Sequence, residues 1–208
     1  MEDVLDLYAQ PYDAKKPVVC MDETNKQLIS EFREPIPIRP GQPTRYDYQY
    51  RREGVCNLFM FFEPLKGWRE VIIKERRTKK EWVLCLKQLL ETHYKEAEVV
   101  RIVLDNLNTH DPAAFYELFD PAEAKCLLDR LEFHNTPKHA SWLNMVEIEF
   151  SVLTRQCLRQ RISSLQHLQT EVATGAHERN KRCRTVDWHF TTVDARVKLK
   201  RLYPSYLE

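Results

Sequence analysis

The chain predicts an α/β fold in which a mixed sheet carries helices on both faces. Three observations support this. Val99 to Leu104 is a short, apolar, mostly β-branched run of the kind that forms a buried strand. Before it, strand-like segments follow one another with no helical period between them, and after Thr78 helical and strand-like segments alternate. At 208 residues and 43% hydrophobic content the chain has material for one well-filled core, so a single domain is expected.

Taken in order, residues 1–16 show acidic and polar spacing around Pro11 and read as a linker or N-terminal extension. The domain proper, 17–208, starts with Pro17-Val-Val-Cys-Met-Asp22, an apolar strand that ends in acid. Residues 34–43 hold four prolines and a glycine, which no central strand tolerates, so they form an extended surface loop. Tyr46, Tyr48 and Tyr50 lead toward an aromatic-rich strand from Val55 to Phe62. The turn Pro64-Leu-Lys-Gly67 then feeds a third strand from Trp68 to Lys74. Together these make a three-stranded antiparallel meander.

Thr78 and Glu81 have capping-box spacing, and Trp82, Leu86, Leu89 and Leu90 follow at helical spacing to about Tyr94. This helix crosses over to the strand ending at Asp105. A short helix follows from Pro112 with Asp111 as its cap, then another from Ala122 to Leu128 and a strand from Arg130 to His134. Ser141 caps a helix from Trp142 to about Leu158, and Ser163 with Gln166 starts one reaching toward Arg179. The tail around Trp188 reads as irregular or extended. Meander, helix, strand, helix, strand, then helices is the order of the ribonuclease H-like fold, a meander extended by parallel strands.

Composition excludes several classes. There is no run of about 18 apolar residues and the N-terminus is acidic, so neither a membrane span nor secretion is indicated and the chain reads as cytosolic. Six dispersed cysteines, none in a C-x-x-C pair, read as small buried residues and not as disulfides or a zinc knuckle. The net charge of +1 hides an asymmetry. Residues 151–208 carry 11 Lys and Arg against 5 Asp and Glu, while the first 150 residues carry 21 against 26. A basic C-terminal part suits contact with a polyanion such as nucleic acid, although a solvated basic helix face is the commoner cause of such a surplus.

Asp22 and Asp105 each stand at the end of an apolar strand, where an aspartate serves either as a cap or as part of a site. The helix from Trp142 adds Glu147 and Glu149. It is apolar on two sides, and carboxylates on such a helix cost several kcal/mol unless paired or metal-bound. At about 100° per residue the two glutamates point about 160° apart, so one site takes only one of them, and periodicity does not choose.

Three motifs then act together: Val-Val-Cys-Met-Asp22-Glu, Val-Leu-Asp105-Asn-Leu-Asn-Thr-His, and Thr136-Pro-Lys-His-Ala-Ser-Trp-Leu-Asn-Met-Val-Glu147. In this order they resemble the catalytic domain of bacterial insertion-sequence transposases of the mariner superfamily, over nearly the whole chain. The resemblance implies a triad of acids, Asp22, Asp105 and Glu147. It selects Glu147 because Leu143 and Asn144 precede it at the offsets of the family's Leu-Asn-Pro-Ile-Glu pattern. Met145 stands where the family often has proline, and the 42-residue step from Asp105 to Glu147 is longer than in many relatives.

The resemblance further implies Mg2+ as cofactor, with Mn2+ as a substitute, all three acids serving as both metal ligands and catalytic groups. It implies double-stranded DNA, as transposon ends and as target, for the partner. It allows a homodimer and places the protein in a bacterial cytoplasm, associated with the nucleoid. Physically, magnesium takes hard oxygen ligands, and clustered carboxylates repel one another without a cation. The alternatives are another ribonuclease H-like nuclease, or a non-catalytic remnant that binds DNA or dimerises. Other residues take plainer readings. His110, His134 and His139 lie near the expected site, and of these His110 supports it without catalysing. Glu23 faces away from Asp22. Lys74, Arg76, Arg77, Lys79 and Lys80 form a solvated strand-to-helix connection, with a grip on a DNA backbone as the alternative, and Trp188 and Phe190 pack.

Overall fold

The computed structural model describes residues 1–203. Its five-stranded sheet has the order β3-β2-β1-β4-β5. β1 (Val18–Glu31), β2 (Tyr50–Glu63) and β3 (Trp68–Lys74) form the antiparallel meander, while β4 (Val100–Leu104) and β5 (Leu131–Asn135) join β1 in parallel. This is the ribonuclease H-like arrangement, and the apolar runs dictate it. Val19, Met21, Phe59, Phe61, Ile102 and Leu104 alternate onto one face, whereas Cys20, Leu58, Met60, Phe62 and Val103 alternate onto the other.

The first face is covered by α2 (Lys79–Thr92), α3 (Ala114–Leu118) and α4 (Pro121–Leu128), with Trp82, Leu86, Leu89 and Leu90 wholly buried. The second is covered by α1 (Glu2–Tyr8), α5 (Val146–Gln156), α6 (Leu165–Lys181) and α7 (Thr192–Lys198).

Several expectations are corrected. Residues 1–16 are not simply a linker: Glu2–Tyr8 is helical because Val4, Leu5, Leu7 and Tyr8 find a hydrophobic face to bury against. The helix expected from Trp142 starts only at Val146. Ser141–Leu143 is a 3-10 turn, and the chain extends at Asn144 before the α-helix begins. Ser164, not Ser163, caps α6 by accepting from His167 N–H. The tail forms α7, closed by a capping box between Thr191 and Asp194. At the start of α2, Thr78 and Glu81 meet each other side chain to side chain and do not cap the backbone.

Gly67, at φ 68°, makes the β2–β3 turn, where a Cβ would stand 2.7 Å from the backbone of Cys183. That close approach lets Val186 N–H donate to Pro64 O and lays the basic segment after α6 against the sheet.

Candidate active site

β1 and β4 run side by side with Val18 opposite Arg101, Val19 opposite Ile102 and Cys20 opposite Val103. Carried on by two residues, this register sets Asp22 abreast of Asp105, the first residue after β4. Cys20 and Val103 both face the cluster under α5, so residues two further on start toward that same face. Asp22 is not a strand-end residue, however. Only its parallel neighbour stops there; the antiparallel partner β2 continues, with Met60 opposite Asp22, and holds β1 in the sheet to Glu31.

The third element is tied to the first by a buried side chain. Asn144 Nδ2 donates to Met21 O at 2.8 Å, linking the residue three before Glu147 to the residue before Asp22. The Tyr8 hydroxyl donates to Leu143 O at 2.7 Å, so α1 braces the same turn. In the first turn of α5 the two glutamates part. Glu147 is exposed, whereas Glu149 is buried at 2% exposure. Arg179 donates twice to Glu149, at 2.8 and 2.6 Å. Arg69 Nε stands 3.0 Å from Glu149 with its N–H off the line of the carboxylate oxygen, a charge contact and not a hydrogen bond. Glu149 is thereby committed to structure, a distinction that periodicity leaves open.

Burial pushes the Asp22 carboxyl up to about 7, and the negative charges of Asp105, Glu23 and Glu147 add to it. The Glu23 N–H, donating to Asp22 Oδ1 at 2.7 Å, opposes them. The charges of Asp105 and Glu147 thus both act on Asp22. The three acids do not already form a cage: among the described residues, no three His, Cys, Asp or Glu side chains stand ready to hold a metal ion. Their chemistry still fits a hard divalent cation, because all offer oxygen and Asp22 is held in a site short of positive charge.

Asp105 Oδ1 accepts from Leu107 N–H at 3.1 Å and lies 3.0 Å from His110 Nδ1. The other ring nitrogen of His110, Nε2, stands 3.0 and 3.2 Å from the two Glu23 carboxylate oxygens. Burial alone would lower the His110 pKa, but the bond to Glu23 and its charge outweigh that, and the net shift is upward. Glu23 does face away from Asp22, as a regular strand requires, and it ends on His110.

Beside Asp105 opens a cleft of about 510 Å3 walled by Asn106, Thr136, Lys138, His139 and Ser141. His139 lies in this wall at φ 64°, in the left-handed region. A groove of about 740 Å3 at the β3 edge, between α2 and α6, is lined by none of the three acids. His134 belongs elsewhere, since its Nδ1 bonds Asp3 at 2.8 Å and pins α1 to β5. Lys79 pairs with Asp111 at 2.7 Å.

Sequence reasoning missed Tyr8, and it missed the tethering role of Asn144. A polar residue flanked by Leu143 and Met145 was the available signal for the latter.

Among solved structures, the chain is similar to the Mos1 strand transfer complex at 15% identity and TM-score 0.50, covering 82% of this chain and 54% of that one. It is also similar to the Mos1 mariner paired end complex with Mn, at 15% identity and TM-score 0.49, covering 87% and 58%. A third is the intasome of simian T-cell lymphotropic virus in complex with PP2A regulatory subunit B56 gamma, at 12% identity and TM-score 0.49, covering 77% and 49%. The chain spans about half the length of each. At these identities the first likeness bears on the fold alone, and no curated protein matches the sequence. Residues 17–169 match the family model described as DDE superfamily endonuclease, and the chain belongs to that family.

Proposed function

We propose that residues 17–208 are the catalytic domain of a DNA transposase, which cuts at transposon ends and joins the freed 3′ ends to target DNA. Asp22, Asp105 and Glu147 are its cation-binding acids. The observation that carries this reading is the β1–β4 register that sets Asp22 abreast of Asp105, with the charges of Asp105 and Glu147 both reaching Asp22 and its carboxyl raised to about 7, mainly by burial. Membership of an endonuclease family and a fold shared with a strand transfer complex agree with it.

Bound Mg2+, or Mn2+ in its place, supplies the positive charge that activates an attacking oxygen and steadies the leaving one. The chain's own residues do the positioning. Asp22, coupled to both other acids, would be shared between two cations, with Asp105 and Glu147 each completing one. Asn144 fixes the start of α5 against β1, which on this reading would present Glu147 toward Asp22. Lys138, in the cleft wall beside Asp105, suits a DNA phosphate. Partners on this reading are double-stranded DNA, bound in a salt-sensitive way, and a second copy of the chain.

The test is Mn2+ binding by calorimetry together with nicking of supercoiled plasmid in Mg2+ or Mn2+. The wild-type chain should bind the cation and nick. Asp105→Ala and Glu147→Gln should fall to background, while Glu149→Gln should keep cation affinity and lose stability. Absence of cation binding, or binding untouched by Asp105→Ala, refutes the assignment and leaves a DNA-binding remnant.

A further inference from the structure

Glu23 and His110 form a buried polar pair on the face of the sheet opposite Glu147. Their side chains are 0% and 1% exposed. The surrounding cluster is apolar, and Trp82 lies against the imidazole with ring centroids 5.5 Å apart. Such a pair loses hydration that an apolar pair of similar size would not, so packing alone does not account for it.

Its outlet is Asp105. Both ring nitrogens of His110 face only acceptors: Nε2 faces the two Glu23 oxygens, while Nδ1 faces Asp105 O at 3.1 Å and Asp105 Oδ1 at 3.0 Å. With Leu107 N–H also on Oδ1, that oxygen is engaged by the protein. Asp105 Oδ2 makes no hydrogen bond among the described residues, and the side chain is 40% exposed.

We infer that Glu23 and His110 are positioning residues, which fix the Asp105 carboxylate through Oδ1 and leave Oδ2 to take the cation. The inference rests on the reading of Asp105 as a cation-binding acid. It explains why a glutamate directly follows Asp22 and a histidine stands five residues after Asp105. One half of the clamp comes from β1 and the other from the loop that follows the neighbouring β4, and they meet on the face of the sheet opposite Glu147.

The experiment measures Mn2+ affinity by calorimetry, thermal melting, and DNA affinity in the presence of a chelator. The variants are His110→Phe, Glu23→Gln and the paired Glu23→Leu/His110→Phe. Loss of the clamp should weaken Mn2+ binding by about 10–100-fold, as removal of groups that orient metal ligands does, with DNA affinity in chelator unchanged. Glu23→Gln keeps an acceptor for Nε2–H and should retain most of the affinity, which a role in charge balance alone would not predict. If His110→Phe melts poorly because Glu23 is left buried and unpaired, the paired variant removes both partners and carries the test.

Unchanged Mn2+ affinity in the folded paired variant overturns the inference, provided the wild type binds Mn2+ and Asp105→Ala does not. No Mn2+ binding by the wild type would instead overturn the proposed function, so the two failures are separable.

Discussion

The two faces of the sheet are held by different physics. Under α2, α3 and α4 the strands meet Trp82, Leu86, Leu89, Leu90 and Phe115, and apart from the Glu23–His110 and Glu63–Tyr94 pairs the contact is apolar area. Under α5 and α6 apolar area is crossed by polar ties. Arg69 and Arg179 converge on Glu149, Asn180 exchanges hydrogen bonds with the Arg69 backbone, and Asn144 reaches Met21. Area without direction tolerates exchange of one hydrophobe for another, whereas a tie fails when either end is removed. The face that presents Glu147 is the tied one.

Breaking a tie should give the largest effect. Glu149→Leu leaves Arg69 buried without its counter-charge and should cost about 3–5 kcal/mol in denaturant unfolding. Adding Arg69→Met should recover most of that loss, because Arg179 is partly exposed and can turn to solvent. A double variant as unstable as the single would show that packing, not charge, dominates this face. On the other face Leu89→Ala should cost about 2–5 kcal/mol from lost burial and the cavity left behind. Leu89→Met should cost under about 1.5 kcal/mol.

Asn144→Ala sharpens the contrast. It leaves Met21 O unsatisfied, which should cost about 1–3 kcal/mol, and it should reduce nicking far more than that loss of stability explains. Parallel declines in the two measurements would make Asn144 an ordinary buried amide.

The smallest effect is a pH dependence at the edge of the sheet. His93 stacks on Trp68 at 3.6 Å, and its pKa is lowered from 6.5 to about 4 by burial and by the Lys66 charge. An unfolded imidazole takes up a proton near 6.5 and the folded one only near 4. The folded form therefore has its full advantage above about 6.5 and loses it as pH falls toward 4. Because the ring is only half buried, the loss should be on the order of 1 kcal/mol. His93→Phe should flatten that limb of the stability–pH curve.

The apolar face was legible in the sequence because hydrophobic period is the signal a sequence carries best. β3, β4 and α2 fall where Trp68–Lys74, Val99–Leu104 and Trp82–Leu90 place them, while β2 contains Val55–Phe62 but begins at Tyr50 and runs through Arg51–Gly54, which reads as an interruption in the sequence. The tied face was less so. The length of β1 was hidden because its second half pairs in a hairpin where residues such as Lys26 and Gln27 are only partly covered. α1 has no side-chain cap and too few residues for a period, and only the face it lands on makes it a helix. Glu147 and Glu149 are equivalent to a helical wheel. They differ because Arg69 and Arg179, 80 residues before and 30 after Glu149, arrive on one side of it. Asp22 and Asp105 were legible as acids following apolar runs. Their adjacency needed the β1–β4 register, which no local pattern encodes.

The mid-strand seat of Asp22 has an evolutionary corollary. One acid is cemented into the central strand, with neighbours hydrogen-bonded on both sides just before it, while the other two ride on stretches that begin where regular pairing has finished. Lengthening or shortening the turn between α3 and α4, at Phe119 and Asp120, would shift nothing in the cemented member. Descendants of such a scaffold are thus free to vary the step between second and third acids while the first stays anchored.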